Sequence, residues 1–266
     1  MSLQEMAIKV LQASSVGEKI AAAHQMATYW HGEADKAVNY SGAVISTSVG
    51  RPEKPELVDP RHVKRRRLGS LQGRTALLHA IAHIEFNAVD LAADMVARFG
   101  GDARISDDKR REFITDWVQV CDDEARHFTM IENRLLELGS FYGALPAHKG
   151  LWQAAETTCH DLAARLAVAP MVLEARGLDV TPAMTEKLKN VGDLESAAIL
   201  EVIYREEIAH VAAGTRWFYH ICQREDRDPD IYFKSLLKIY YKGVLKPPFN
   251  TKARELAGMH ASLYQD

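Results

Sequence analysis

Two copies of one short pattern, Glu124-Ala-Arg-His127 and Glu207-Ile-Ala-His210, stand out among the side chains able to do chemistry. In a helix, residues three apart lie on one face about a turn from each other, so each copy offers a carboxylate and an imidazole to a shared site. A lone glutamate, Glu174, lies between the copies, and another, Glu85, precedes them. Together they supply four carboxylates and two imidazoles in the order Glu, Glu-x-x-His, Glu, Glu-x-x-His. That is the ligand set of a carboxylate-bridged pair of metal ions inside a four-helix bundle.

A single Glu-x-x-His arises by chance in many helices, where it belongs to a solvated face. Burial separates the two readings, because an ionised carboxylate on an apolar face is costly unless paired or metal-bound. Leu77, Ile81, Ile84, Ala88, Leu91 and Met95 form a stripe at three-four spacing with Glu85 at its edge. Glu124 stands inside the seam of Ile114, Trp117, Cys121, Phe128, Ile131 and Leu135. Glu207 and His210 occupy the middle of a seam formed by Leu200, Ile203, Gly214, Trp217 and Ile221, and Glu174 follows Leu162, Leu166 and Leu173. The competing reading pairs these acids with arginines such as Arg126, Arg176 and Arg205. Four core-facing acids on four separate helices favour a cation.

The elements that must carry these groups read as helices over 73–99, 106–138, 150–177 and 193–225. Gly100-Gly101 and Gly139 are stop signals, and Ser106 followed by two aspartates is a start signal. Met6 to Trp30 reads as one or two amphipathic helices, and two small helices separated by Pro247-Pro248 close the chain. Residues 31–70 lack periodicity and hold the basic run 61–67. The expected organisation is one domain over 1–266, with a covering segment 1–72, a metal-binding bundle 73–225 and C-terminal helices 226–266. Pro170, four residues before Glu174, predicts a kink, either an ordinary tolerated one or one that re-aims the Glu174 carboxylate.

At 266 residues, with 47% hydrophobic and 26% charged residues, the chain has the makings of a sizeable core. No apolar run approaches bilayer length and the N-terminal stretch lacks a signal-peptide core, so a cytoplasmic location without a membrane partner is expected. Cys121, Cys159 and Cys222 are odd in number and far apart, which predicts reduced thiols. No C-x-x-C pair is present, which argues against a rubredoxin-like or zinc-ribbon appendage. A net charge of −3 gives no overall basic footprint. A nucleic-acid partner is therefore disfavoured and would depend on run 61–67 alone.

Several residues near the pattern have competing readings. Asp123 and Glu206 lie four residues before His127 and His210 and can reach the same faces, but they fit the seams less well and read as acceptors behind the ligands or as surface charges. His79 and His83 point away from Glu85 and read as satisfied histidines beneath the N-terminal segment, with proton delivery as the alternative. Cys121 reads as a small core residue. Tyr204 reads as a hydrogen-bonded tyrosine, with a radical role as the alternative.

The stretches Arg74-Thr-Ala-Leu-Leu-His-Ala-Ile-Ala-His-Ile-Glu-Phe-Asn-Ala-Val-Asp90, Asp122-Asp-Glu-Ala-Arg-His127, Leu173-Glu-Ala-Arg-Gly-Leu-Asp179, Glu206-Glu-Ile-Ala-His-Val211 and Pro248-Phe-Asn resemble the ferritin-like superfamily. They resemble more closely a bacterial ferritin-like family of unknown function, some of whose members carry a rhamnosyltransferase label. The resemblance spans most of the chain. It implies an all-α protein, a ferritin-like four-helix bundle with extra N- and C-terminal helices, holding two iron ions on Glu85, Glu124, His127, Glu174, Glu207 and His210. It implies no settled reaction, and the rhamnosyltransferase label has no nucleotide-sugar domain or phosphate loop to support it.

Carboxylates and imidazoles suit iron, manganese or a mixed pair. The expected function is an oxidase or monooxygenase using O2 or peroxide on a small-molecule substrate. Glu85 and Glu174 would each bind one metal, Glu124 and Glu207 would bridge, and His127 and His210 would each complete one coordination sphere. Two alternatives are a ferroxidase without organic substrate and a tRNA-modifying hydroxylase. About 70 residues before the first ligand helix and about 40 after the last favour an enzyme with a walled pocket over a storage shell. A homodimer is one assembly open to it.

Overall fold

The computed structural model describes residues 1–32, 40, 45–59, 67–148, 150–241 and 243–265. Apart from Arg67, the basic run 61–67 lies outside them. The described chain is mostly helical. Helix α1, Leu3–Gln12, starts with a capping box in which Ser2 and Glu5 satisfy each other's backbone N–H. Helix α2, Val16–His31, is capped by Ser15. Two long helices follow, α3 at Leu71–Phe99 and α4 at Asp107–Glu137. Ser70 caps α3, and Asp107 and Asp108 sit in the first turn of α4, where negative charge meets the positive end of the helix dipole. Gly139, at φ 73°, ends α4 in a left-handed conformation that favours glycine.

The single helix expected over 150–177 is instead three pieces. Helix α5, Gly150–Thr157, stops, and Asp161 starts α6, Leu162–Val168, by accepting the Ala163 N–H. Ala169–Glu174 then forms a π-helical turn before α7, Ala175–Asn190. Pro170 is the cause within the chain, since it has no N–H to give an α-helical hydrogen bond. Gly214 is the cause across the interface: a Cβ there would lie 2.5 Å from both Cβ and Cγ of Pro170. The expected kink is therefore a π turn that glycine on the facing helix makes room for.

Gly192, at φ 79°, and the Asp193 N-cap turn the chain into α8, Leu194–Arg224. Three helices close the chain where two were expected: α9 at Pro229–Tyr240, α10 at Thr251–Leu256 and α11 at Ala261–Tyr264. Pro247-Pro248 falls between α9 and α10. A two-residue parallel pairing joins β1, Leu57–Val58, to β2, Ala147–His148. No periodicity announces strands that short.

Helix α3 packs along α4, α7 along α8, and α4 against α8, while α1 and α2 cover α3 and α4. The apolar seams meet between them: Ile114, Trp117, Cys121, Phe128, Ile131 and Leu135 are at most 2% exposed. Ile84, expected in the core stripe of α3, is 43% exposed. Three buried ion pairs tie the surrounding pieces to the long helices. Lys19 Nζ lies 2.5 Å from Asp90, Arg165 Nη1 2.5 Å from Asp94, and Arg254 Nη2 2.7 Å from Asp179. Buried charges are tolerated only when paired this closely. Among the described residues no helix is long and apolar enough to cross a membrane, and Cys121, Cys159 and Cys222 are free thiols.

Candidate metal centre

Glu85 lies near the middle of α3, Glu124 and His127 on α4, Glu174 at the end of the π turn, and Glu207 and His210 on α8. Glu85, Glu124, His127 and Glu207 are buried, and they present one ligand atom each within 4.8 Å of one another, so they can hold a metal ion. His210 joins them, its Nδ1 lying 3.0 Å from Glu124 Oε1 and 3.7 Å from Glu207 Oε1. On the other side His127 Nδ1 lies 3.2 Å from Glu85 Oε2 and 3.7 Å from Glu124 Oε2. Glu124 thus sits between the two imidazoles. Glu174 shares a cavity wall with Glu85, Glu124 and Glu207.

The electrostatics of this cluster follow from its burial and its crowded charges. Burial, then the charge of Glu124, pushes the Glu85 carboxyl well above its ordinary pKa. Burial and the charge of Glu207 do the same to Glu174, and burial and Glu124 raise Glu207. Burial opposes protonation of His127, yet the carboxylates of Glu124 and Glu85 beside it raise its pKa to about 11. His210 is likewise raised against burial, by Asp123 and Glu124. Glu124 goes the other way: against burial, His127 and His210 hold its carboxyl well below the ordinary range, and a cation is the partner that would let the other three acids ionise beside it. Five buried atoms, Glu85 Oε2, Glu124 Oε2, His127 Nδ1, Glu174 Oε2 and Glu207 Oε2, have no hydrogen-bond partner. Orphans of this kind are rare in native proteins, and the four that belong to the converging residues Glu85, Glu124, His127 and Glu207 fit a bound cation.

Asp123 and Glu206 occupy the positions behind the histidines, in a crossed arrangement that spacing along one helix does not predict. Glu206 on α8 takes His127 Nε2 of α4 at 2.6 Å, and Asp123 on α4 faces His210 Nε2 of α8 at 3.4 Å. Each imidazole therefore turns Nδ1 toward the cluster and Nε2 toward an outer carboxylate. Arg126 Nη2 donates to both carboxylates, to Asp123 at 2.9 Å and to Glu206 at 2.5 Å. None of the three arginines in the ion-pair reading bonds to Glu85, Glu124 and Glu207, which are buried, or to half-buried Glu174. Arg126 serves the outer acids, Arg176 donates to the Lys246 and Pro248 carbonyls, and Arg205 to the Glu201 carbonyl.

The remaining candidates lie outside the cluster. His79 Nε2 accepts from the Gly143 and Leu145 N–H groups, and His83 bonds Tyr142 Oη and the His148 carbonyl. Both are satisfied by hydrogen bonds to the α4–α5 connection, and Arg51 and Leu57 of the N-terminal segment line the same small cavity as His83. Burial lowers each to a pKa of about 4. Cys121 is a core residue whose thiol faces the Val89 carbonyl at 3.6 Å. Tyr204 Oη accepts from Asn250 Nδ2 at 2.9 Å.

A cavity of about 450 Å3 opens beside the cluster. Aliphatic side chains from α3, α7 and α8, such as Ile81, Leu200 and Ile203, form most of its inner wall. The segment 243–249 closes it from outside. Two anchors hold that segment: Asp179 receives Arg254 and the Asn250 N–H, and Tyr204 receives Asn250 Nδ2. The sequence predicts a walled pocket and marks the stretches holding Asp179 and Asn250, but not that these two meet, because their contact joins residues some 70 positions apart.

A family model described as "Protein of unknown function (DUF455)" matches residues 12–265. An uncharacterized protein of Haemophilus influenzae is 42% identical over 207 residues, which cover 78% of this chain and 72% of the relative. No solved structure matches the chain at a significant level.

Proposed function

The chain belongs to the DUF455 family, whose description assigns no function, and we propose that it is a di-iron oxidoreductase with a ferritin-like four-helix bundle formed by α3, α4, α8 and the π turn with α7. Its ligands are Glu85, Glu124, His127, Glu174, Glu207 and His210. The observation that carries this reading is the convergence of Glu85, Glu124, His127 and Glu207 from three helices, each with a buried atom that has no hydrogen-bond partner. Hard oxygen and imidazole donors without thiolate suit iron or manganese. Such a pair of ions, when bound, supplies coupled one-electron steps for oxidation by O2 or peroxide.

The chain's own residues set up that chemistry. Glu206 and Asp123 take the Nε2 sides of His127 and His210, which orients both rings and leaves Nδ1 facing inward. Arg126 fixes the two outer carboxylates as one unit. The π turn sets where Glu174 meets the cluster. Aliphatic walls exclude bulk water from the buried carboxylates and leave room for an organic molecule beside them. That cavity favours an enzyme over iron handling without an organic substrate.

Purified protein loaded anaerobically with ferrous iron should bind two ions per chain and change its absorption on exposure to oxygen. Fewer than two ions, or no reaction with oxygen, sinks the reading. Glu85→Gln and Glu207→Gln should each reduce stoichiometry or affinity without unfolding the chain.

A further inference from the structure

We propose that the cavity binds an anionic amphiphile, with a carboxylate or phosphate head at the mouth and an apolar tail directed toward the cluster of glutamates. The inference deepens the proposed function and rests on it only for what happens to the bound molecule.

The two ends of the cavity differ in charge. Its inner end holds Glu85, Glu124, Glu174 and Glu207, and its wall is largely aliphatic. Its outer end carries Arg176, whose side chain is 44% exposed, and Lys246, which is exposed. Arg176 Nη1 donates to the Lys246 carbonyl at 2.9 Å, so the two residues are neighbours at one rim. Every hydrogen bond recorded for the Arg176 guanidinium uses Nη1, to Lys246, Pro248 and Asp179. Among the described residues nothing takes its Nε or Nη2, the edge that binds a two-oxygen anion through parallel hydrogen bonds.

The third cation on the wall, Arg254, is not available. Its Nε and Nη2 are engaged by both oxygens of Asp179, and it is stacked between Phe249 and Tyr264. Arg176 and Lys246, both at the rim, are therefore the cations able to meet an anionic head. The head is drawn to them and the aliphatic inner wall takes the tail, which fixes the orientation of the ligand. The body must be apolar, because the walls between the ends offer it few polar partners. At about 30 Å3 per small group, 450 Å3 accommodates roughly 15 heavy atoms.

Titration calorimetry on the full chain, with and without metal, tests this with four probes of about that size: dodecanoate, dodecyl phosphate, dodecanol and dodecyltrimethylammonium. One or both anionic probes should bind at one per chain, at least tenfold more tightly than the cationic one. The comparison of the two anions identifies the head. Arg176→Gln should weaken the anionic probes at least tenfold and leave dodecanol unchanged, whereas mere loosening of segment 243–249 would weaken all of them alike. Gly177, where a Cβ would meet nothing within 4 Å, also lines the cavity. Gly177→Leu should abolish binding of every probe with metal stoichiometry unaltered.

Failure of both anions to bind, equal binding of the cationic probe, or an Arg176→Gln effect shared by dodecanol overturns the inference. Metal stoichiometry is read separately, so a chain that binds two ions and no amphiphile refutes the inference alone. A chain that binds anionic probes in the expected pattern and fewer than two ions refutes the di-iron reading alone.

Discussion

Gly214→Ala should damage the candidate metal centre more than it damages the fold. The added methyl would lie 2.5 Å from Pro170 Cβ and Cγ, whereas carbon atoms rest about 3.5–4.0 Å apart. One partner must retreat by roughly 1 Å. A proline ring cannot rotate away, so the displacement passes to the backbone of Ala169–Glu174. Overpacking of this kind costs about 1–3 kcal/mol, and replacing glycine inside a helix returns about 1 kcal/mol. The net loss of about 0–2 kcal/mol should lower Tm by about 0–8 °C in a chain of this size. Metal distances, in contrast, are held to about 0.2 Å, so a shift near 1 Å at Glu174 is large for a ligand.

The expected result is weaker binding of one of two ions, at least tenfold by chelator competition, with Tm lowered by no more than about 8 °C. Gly177→Ala is the matched control, because its Cβ meets open space. It should keep both ions and gain a degree or more in Tm. If Gly214→Ala binds two ions as tightly as the parent, the π turn does not govern Glu174 and the reasoning is wrong.

Three further outcomes follow from the same geometry. His79 has its pKa lowered by burial to about 4 against an unfolded value near 6.5, so the unfolded chain binds the extra proton between these values. Stability should be intact above pH 6.5 and fall by about 3 kcal/mol toward pH 4; urea titrations showing the same pH slope for His79→Gln would remove this assignment. Arg126→Gln frees Asp123 and Glu206 from their shared donor, and metal affinity should drop by about 10–100-fold with little change in Tm, as read by competition with a chelator. Lys19→Met strands Asp90, whose pair is fully buried, and should cost about 3–5 kcal/mol in urea denaturation. Restoration by Asp90→Asn in the same chain is expected, and its absence would mean that Lys19 acts through packing alone.

Some of this molecule is legible along the chain because its period is local. A carboxylate and an imidazole three residues apart share a helix face, and apolar residues at three-four spacing announce which face is buried. The helical character of the protein and the inward direction of Glu85, Glu124, His127, Glu207 and His210 need no further information than that. The Gly139 stop and the aspartates at the start of α4 are legible for the same reason, since helix ends are satisfied by residues within a turn or two.

Other features depend on what one helix meets on another. Asp123 and Glu206 stand beside the histidines of their own helices in sequence, yet each serves the histidine of the opposite helix, because the α4–α8 packing sets which side chains face each other. Pro170 signals a distortion, but its form as a π turn depends on the space left by Gly214 across the interface. The breaks within 150–177 and the cover over His79 and His83 are likewise made by distant contacts. The cavity is the clearest case: its outer wall is brought there by Arg254 and Asn250 reaching Asp179. Periodicity determined which groups turn inward, because it is a property of one helix. Tertiary packing decided which of them meet and what space lies beside them, because those are properties of pairs of surfaces.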